Sequence, residues 1–385
     1  MRFKYFNILI ICTLIIFILS IHIYGGVSTT SGNFLKIGAT SRQIGMGEAF
    51  TAIADDPSAL SVNPAGLGNI KNLEILFSHY EWITDLDYEY FAIAKPSFNG
   101  IKGFKGVLGG SITYLHLPPF YHYNDWGERV GELTVSGLAI TLGYGQELEN
   151  FMVGNSLKMV YEQIDDISDF AFGIDLGIIY TVKLPHKRIS GFNLKGKSVK
   201  FGVSLLNIGI DNGIRGYDLP TTLKFGIGSK IASGLLVDMD IEKPFHNRVR
   251  INLGVEYTIK ELFSVRAGYR FMGYKVDTFT LGLGIKYPFG GKLVKVGTAY
   301  APQGPLENTT NFTIDLKFTG AISLRDWERA NLLYYKGIYY YTRGELDKAV
   351  ELWKEVLKIV PDHQKAKQKL KDAAYLKKLK EIEKK

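Results

Sequence analysis

The sequence predicts an all-β transmembrane barrel of about 14 antiparallel strands, with an N-terminal plug and a small C-terminal α-helical module. Three observations predict it. Residues 73–318 break into segments of strand length, most of which alternate apolar and polar residues. The connections between segments sort into two classes by length and charge. After Phe318 the apolar period changes from that of a strand to that of a helix.

The alternation is clearest over Phe170–Lys183. Phe170, Phe172, Ile174, Leu176, Ile178, Tyr180 and Val182 share one face. Ala171, Gly173, Asp175, Gly177, Thr181 and Lys183 share the other, with Ile179 as its large apolar exception. Phe263–Phe271 and Phe312–Phe318 repeat the pattern, with Arg266, Arg270, Asp315 and Lys317 on their polar faces. A charge in mid-strand must meet water or a partner charge. Alternation alone suits a soluble sandwich as well as a membrane barrel, so other features must decide.

The loops decide. Strands are expected at 73–79, 87–95, 104–115, 131–145, 151–161, 169–183, 198–206, 221–231, 234–242, 249–258, 262–271, 278–287, 292–300 and 311–319. An even number puts both ends of the strand array on one side. The odd-numbered connections include the long ones, 116–130 and 207–220, and carry more acidic than basic residues. The even-numbered ones are mostly short and more basic, with 184–197 as a long, basic exception. Long loops on one side and short turns on the other is a barrel pattern. A sandwich has no reason to segregate length and charge this way. The 42 Gly, 23 Tyr and 23 Phe suit tight turns and two interfacial aromatic girdles.

Residues 1–26 read as a signal peptide, with Arg2 and Lys4 before an apolar run at 8–19. The lone cysteine, Cys12, lies in that run, so disulfides and cysteine ligands are not expected. Residues 27–72 form the expected plug. Asp56 is a good N-cap, Pro57 suits the first helical position, and a short helix should run over 58–62. Pro64 stops it and biases Asn63 away from the helical region. Asp56, Asn63, Pro64, Ala65 and Gly66 are the candidate plug residues. A gating plug and a passive cap fit them equally.

The stretch GMGEAFTAIADDPSALSVNPAGL (45–67) resembles the N-terminal hatch of the long-chain fatty-acid transporter superfamily, and is more similar still to its PorV/PorQ group. FGVSLLNIGI with YDLPTTLKFGIG (201–228), LGVEYTIKELFSVRAGYR (253–270) and VGTAYAPQGPLENTTNFTIDLKF (296–318) follow that group's pattern in order. The resemblance implies a fourteen-stranded outer-membrane barrel, residues 73–319, with a plug.

On this register the lumen receives Asp175, Lys224, Lys230, Asp238, Asp240, Arg250, Glu256, Arg266, Arg270, Lys286, Asp315 and Lys317. Both signs are present. A structural ion-pair network around the plug explains them more simply than a solute pathway, and a greasy pocket would want fewer charges. No catalytic motif stands out, and the 7 His show no metal-ligand spacing. Neither an enzyme, a cofactor nor a nucleic-acid partner is expected. Glu162, Asp165, Asp166 and Asp169 offer oxygens to a hard cation but read more simply as a solvated loop. His116–Trp126 mixes Tyr, His, Pro and Trp, as an aromatic girdle would.

Residues 325–385 form the helical module. Leu333, Gly337, Tyr340, Gly344, Ala349, Trp353 and Pro361 have the spacing of a tetratricopeptide repeat, which the segment resembles. A single repeat normally needs neighbours to cover its faces. Tyr335, Tyr339, Leu352 and Trp353 are therefore the expected contact residues for a periplasmic protein partner or a second copy, and the lysine-rich tail suits anionic lipid or an acidic partner. Three functions remain in view. The first is a non-enzymatic component of envelope transport or protein secretion, lodged in outer-membrane lipid. The second is gated uptake of a hydrophobic solute such as a fatty acid. The third is a soluble, exported β-rich binding protein.

Overall fold

The computed structural model describes residues 30–96, 106–118, 120–184, 188–189, 192–193, 198–210, 213–214, 216–271, 278–289, 292–303, 308–318, 324–361 and 363–382. The expected signal peptide and most of the basic loop 184–197 lie outside them.

The barrel strands are β1 (Glu74–Glu81), β2 (Asp87–Pro96), β3 (Val107–His116), β4 (Val135–Leu148), β5 (Phe151–Ile164), β6 (Ile167–Lys183), β7 (Ser198–Gly209), β8 (Thr222–Ala232), β9 (Leu235–Pro244), β10 (Arg250–Ile259), β11 (Phe263–Phe271), β12 (Thr278–Phe289), β13 (Lys292–Pro302) and β14 (Asn308–Phe318). Each pairs antiparallel with its neighbours, and β1 closes on β14 from Glu74↔Lys317 to Glu81↔Thr310. Closure leaves no sheet edge, which is the condition for a sheet to stand in hydrocarbon. β7 carries one bulge, between Leu205 and Ile208, with Asn207 at φ 55°. Two small hairpins stand apart from the barrel sheet. One, Phe120–Tyr123 with Arg129–Leu133, is at the long-loop end. The other, Arg188–Ile189 with Phe192–Asn193, belongs to the loop between β6 and β7.

The wall is built inside out relative to a soluble sandwich. Leu142, Leu157 and Leu283 are 67%, 61% and 58% exposed on the outer face. The alternate residues of the same strands, such as Thr141, Ser156 and Thr280, are buried toward the lumen. Aromatic pairs mark both ends of this apolar band. Phe151 stacks on Tyr180 at 4.5 Å at the short-turn end, and Phe170 meets Phe172 edge-on at 5.7 Å at the other. No helix is long and apolar enough to cross a membrane.

The N-terminal segment fills the lumen. It comprises a 3₁₀ turn Asn33–Lys36, helix α1 (Ser41–Gly45), helix α2 (Ala59–Val62) and a 3₁₀ turn Pro64–Asn69. Helix α2 starts at Ala59, one residue later than expected, and Asp56 accepts Ser58 N–H at 2.9 Å. The segment runs the length of the barrel. Ser31 N–H donates to Asp218 O in the long loop before β8, while Lys71 reaches Glu147 at the opposite, short-turn end. Residue 30 therefore stands at the end of the barrel opposite the first and last strand ends. Parity of strands places the strand array but not a segment threaded through it.

After β14 come helices α3 (Leu324–Thr342), α4 (Leu346–Ile359) and α5 (Gln364–Ile382). They share a core of their own, with Ala330, Ala349, Trp353, Val356 and Val360 at its centre. Gly344 at φ 83° makes the turn between α3 and α4. Trp353 corrects the sequence reading. It is fully buried, donates its indole N–H to Tyr334 O at 3.2 Å, and fills the space that Gly337 leaves. Its ring closes the helix pair and is not offered to a partner. Leu352 is half-buried, whereas Tyr335 and Tyr339 are exposed.

Candidate functional site at the plug and lumen wall

The plug touches the wall through main chain as well as side chain, because many of its residues are alanine or glycine. Ala39, Ala49, Ala52, Ala54, Ala59 and Ala65 are all fully buried. The facing wall positions are glycines. A Cβ on Gly268 would stand 2.0 Å from Gly47 N, and one on Gly177 would stand 2.0 Å from Asn63 Oδ1. Glycine weakens a strand, so at these positions its use is close approach.

Charged and polar groups then lock the seam. Glu256 and Arg266 are directly opposite in the β10–β11 register and pair at 2.7 Å. Arg42 of α1 adds a second guanidinium, with Nε 3.0 Å and Nη2 3.2 Å from the Glu256 oxygens. Arg42 also pairs with the exposed Asp55 and lies 3.7 Å from the buried Asp56, so plug and wall share one cluster of two cations and three carboxylates. Arg270 pairs with Glu48 of the plug at 2.8 Å. Asp240 accepts Phe50 N–H and Thr51 N–H at 3.0 Å each, and the Thr51 hydroxyl at 2.6 Å. Asn63 is fully buried; its amide donates to Thr51 O at 2.9 Å and Ile178 O at 3.4 Å, and its Oδ1 accepts Ala65 N–H. Ser204 of β7 donates to Val62 O at 2.7 Å. Pro64, Ala65 and Gly66 lie fully buried beside these groups.

Most of the other expected lumen charges form wall-to-wall pairs. Asp175 accepts Lys158 at 3.2 Å, Ser156 at 2.6 Å and Asn207 N–H at 2.7 Å, which ties down the β7 bulge. Lys224 and Arg250 flank Glu242 at 3.2 and 3.5 Å. Lys295 holds Asp315 at 2.6 Å, and Lys317 holds Glu74 at 2.7 Å. Lys286 stands opposite Lys295 and under the Trp327 ring at 5.7 Å, where the module meets the barrel. Asp238 is fully buried with neither oxygen hydrogen-bonded to a described group, and Lys230 is exposed. A small cleft of about 20 Å³ between plug and wall near the long-loop end is lined by Leu35, Lys36, Glu48, Leu206, Lys224 and Glu242. Its lining mixes apolar groups with both signs of charge.

Sequence reasoning named both members of the Glu256–Arg266 pair but missed a partner in each of the others. Glu242 shares the parity of Asp238 and Asp240 on β9, and Lys158 the inward parity of β5, so alternation would have found both. Arg42 and Glu48 carry no such signal, because the plug has no repeating period. Glu162, Asp165, Asp166 and Asp169 lie about the β5–β6 turn, where Asp165 and Asp166 are exposed. Among the described residues no group of His, Cys, Asp or Glu has metal-binding geometry.

A sequence model described as "Uncharacterised protein family (UPF0164)" matches residues 26–105, the plug and the first strands. No curated protein sequence matches the chain. Two solved structures share the architecture. The Pseudomonas putida toluene transporter TodX superposes with a TM-score of 0.52 at 11% identity, covering 73% of this chain and 98% of its own. The CymD monoaromatic hydrocarbon channel gives a TM-score of 0.50 at 13% identity, covering 74% and 98%. At such identities the likeness is one of fold, a closed barrel, which in this chain has fourteen strands.

Proposed function

We propose that the protein is a non-enzymatic outer-membrane barrel of the PorV/PorQ type. In this reading it is a component of envelope transport or protein secretion, closed by its plug and carrying a periplasmic helical module that docks a protein partner. The observation that carries this reading is the seam between plug and wall. Arg42–Glu256, Arg270–Glu48 and Asp240 with the 50–51 main chain are three buried, charge-assisted anchors. Each such bond contributes about 1.5–3 kcal/mol. A ligand shifts the plug only by its differential affinity for the open and closed states, so the seam favours a barrel closed at rest. The apolar outer face argues against the soluble binding protein.

Uptake of a hydrophobic solute is the second reading. It is favoured by the architecture shared with TodX and CymD, whose names specify toluene and monoaromatic hydrocarbon. One experiment separates the two. Purified protein is reconstituted into planar bilayers and toluene-permeation liposomes, intact and without residues 30–72. The closed-barrel reading expects no conductance and no toluene flux from the intact protein, and conductance from the truncated one. Toluene flux through the intact protein would replace it with the uptake reading. Monodisperse protein recovered without detergent would end both.

A further inference from the structure

The outward strip of α3 belongs to neither barrel nor module core. At 100° per residue, Arg329, Lys336 and Arg343 fall on one edge of this strip and Leu332, Tyr335 and Tyr339 on the other. The three apolar residues are 70%, 55% and 52% exposed. The cations recur every seven residues, two turns apart. Arg343 lies with its guanidinium 5.0 Å from the centre of the Tyr339 ring, so the edges are joined at one end. Arg329 is only weakly engaged, 3.9 Å from Glu355 of α4. The sequence places one acid, Glu328, on the same face, against the three cations.

We infer that this strip is a docking site for an acidic amphipathic helix of another protein, one that carries carboxylates seven residues apart beside an apolar stripe. This rests on the proposed role of the module as a docking device and names the chemistry of its partner. Two helices that pack along their lengths meet through a seam of period 3.5, and charges flanking that seam set partner and orientation. A strip with cations at heptad spacing beside Leu332, Tyr335 and Tyr339 therefore fits a partner helix with anions at the same spacing. Leu and Tyr give the seam its buried area, and the cations give it sign. A second copy of this chain is disfavoured by charge. Its α3 carries the same cations, and its α5 reads QKAKQKLKDAAYLKKLKEI, with one basic residue at nearly every second place in its first turns. Stacking either against the strip sets like charges together.

The test uses the full chain in nanodiscs of neutral lipid. The probe is a labelled synthetic helix with glutamates seven residues apart flanking leucines, and its control carries lysines in their place. Fluorescence anisotropy should show the acidic peptide binding about ten-fold tighter than the basic one, a preference that fades with salt. The triple variant R329E/K336E/R343E should reverse the preference. Y335A/Y339A should weaken both peptides. Unchanged thermal melting of the variants shows that the module remains folded. Equal binding of both peptides, or a preference untouched by the triple reversal, overturns the inference. So does displacement of the acidic peptide by phosphatidylglycerol vesicles, which would assign the strip to lipid, or self-association of the protein through the strip in sedimentation. None of these outcomes bears on conductance, so failure here and failure of the closed-barrel reading are distinguishable.

Discussion

The plug and the helical module are two small appendages of one barrel, and they are held in opposite ways. The plug has an apolar cluster, with Met46, Phe50, Ile53, Leu60 and Leu67, that is closed by Ala94, Val107 and Leu236 of the wall. Its alanines lie against wall glycines, and its charges are completed by Glu256, Arg270 and Asp240 of the strands. The module has a closed core around Trp353 and meets the barrel at few points, Lys365 with Glu261 and Trp327 over Lys286. The difference teaches that the plug is part of the barrel's fold, while the module folds around a core of its own. A substitution of one chemical type should therefore have different consequences in the two regions.

The largest contrast is expected for carboxylates. Glu256→Gln leaves Arg42 and Arg266 facing one another without their shared anion in a buried site. Breaking a buried pair this way costs about 3–5 kcal/mol. The equivalent change in the module, Glu355→Gln, removes an exposed contact with Arg329 at 3.9 Å. Exposed pairs of that kind contribute about 0–1 kcal/mol. Thermal melting of both variants in detergent, followed by heat-modifiable mobility on gels, checks the difference. Equal shifts would mean that the plug is no better integrated than the module.

Glycines give a smaller contrast. Gly268→Val pushes a branched side chain into Gly47 of the plug, and Gly337→Val pushes one into the indole of Trp353, 2.4 Å from its Nε1. Overpacking of this sort costs about 1–3 kcal/mol in either place. What differs is the readout. The first should loosen the plug and give the barrel measurable conductance. The second should expose the module to protease and leave the bilayer silent. A conducting G337V protein would couple the module to the lumen and erase the distinction.

These pairs also separate what the sequence made legible from what it did not. The strands were legible because alternation is a local property, and Phe170–Lys183 shows both faces in one reading. The inward glycines were visible as small residues on the polar face, but not as seats for the plug, because their partners lie far away in the sequence. Arg42 and Glu48 were invisible for the same reason. Trp353 was misjudged because aromatic size fits a contact residue and a core residue equally well. Only the absence of a side chain at Gly337, facing it across the helix pair, decides for the core.

The module should also respond to pH, through a histidine at the start of its last helix. His363 caps α5 by accepting Ala366 N–H on Nδ1 at 3.2 Å, which requires that nitrogen to be unprotonated. Burial holds its pKa below the ordinary 6.5, and Lys365 and Lys286 add to the effect while Glu261 opposes it. The unfolded module takes up its proton near pH 6.5 and the folded one only at lower pH. Between those values the unfolded state binds more protons, so the stability contributed by neutral His363 is present above pH 6.5 and is lost as pH falls toward the folded pKa. Protease resistance of residues 325–385 should decline from pH 7.5 to 5.5, and His363→Asn, which keeps a cap but cannot titrate, should flatten that decline. An identical decline in the variant would assign the effect elsewhere.

The smallest effect on the barrel is expected from the largest change. Removing residues 325–385 deletes the module whole, yet the side-chain attachments it takes from the barrel, Lys365 to Glu261 and Trp327 to Lys286, are weak. The pair Lys365–Glu261 is partly exposed and contributes at most about 1 kcal/mol. Trp327 over Lys286, at 5.7 Å, contributes about 0.5–1 kcal/mol as a cation–π contact. Neither belongs to the plug seam, and β14 still closes on β1 over its full register. The truncated protein should reach the folded, heat-modifiable form with a melting transition close to that of the full chain, and it should remain non-conducting. It should lose binding of the acidic helix altogether, because Arg329, Lys336 and Arg343 go with it. A truncated barrel that does not assemble would place the module inside the barrel's folding unit, and the plug and the module would then differ in geometry only, not in kind.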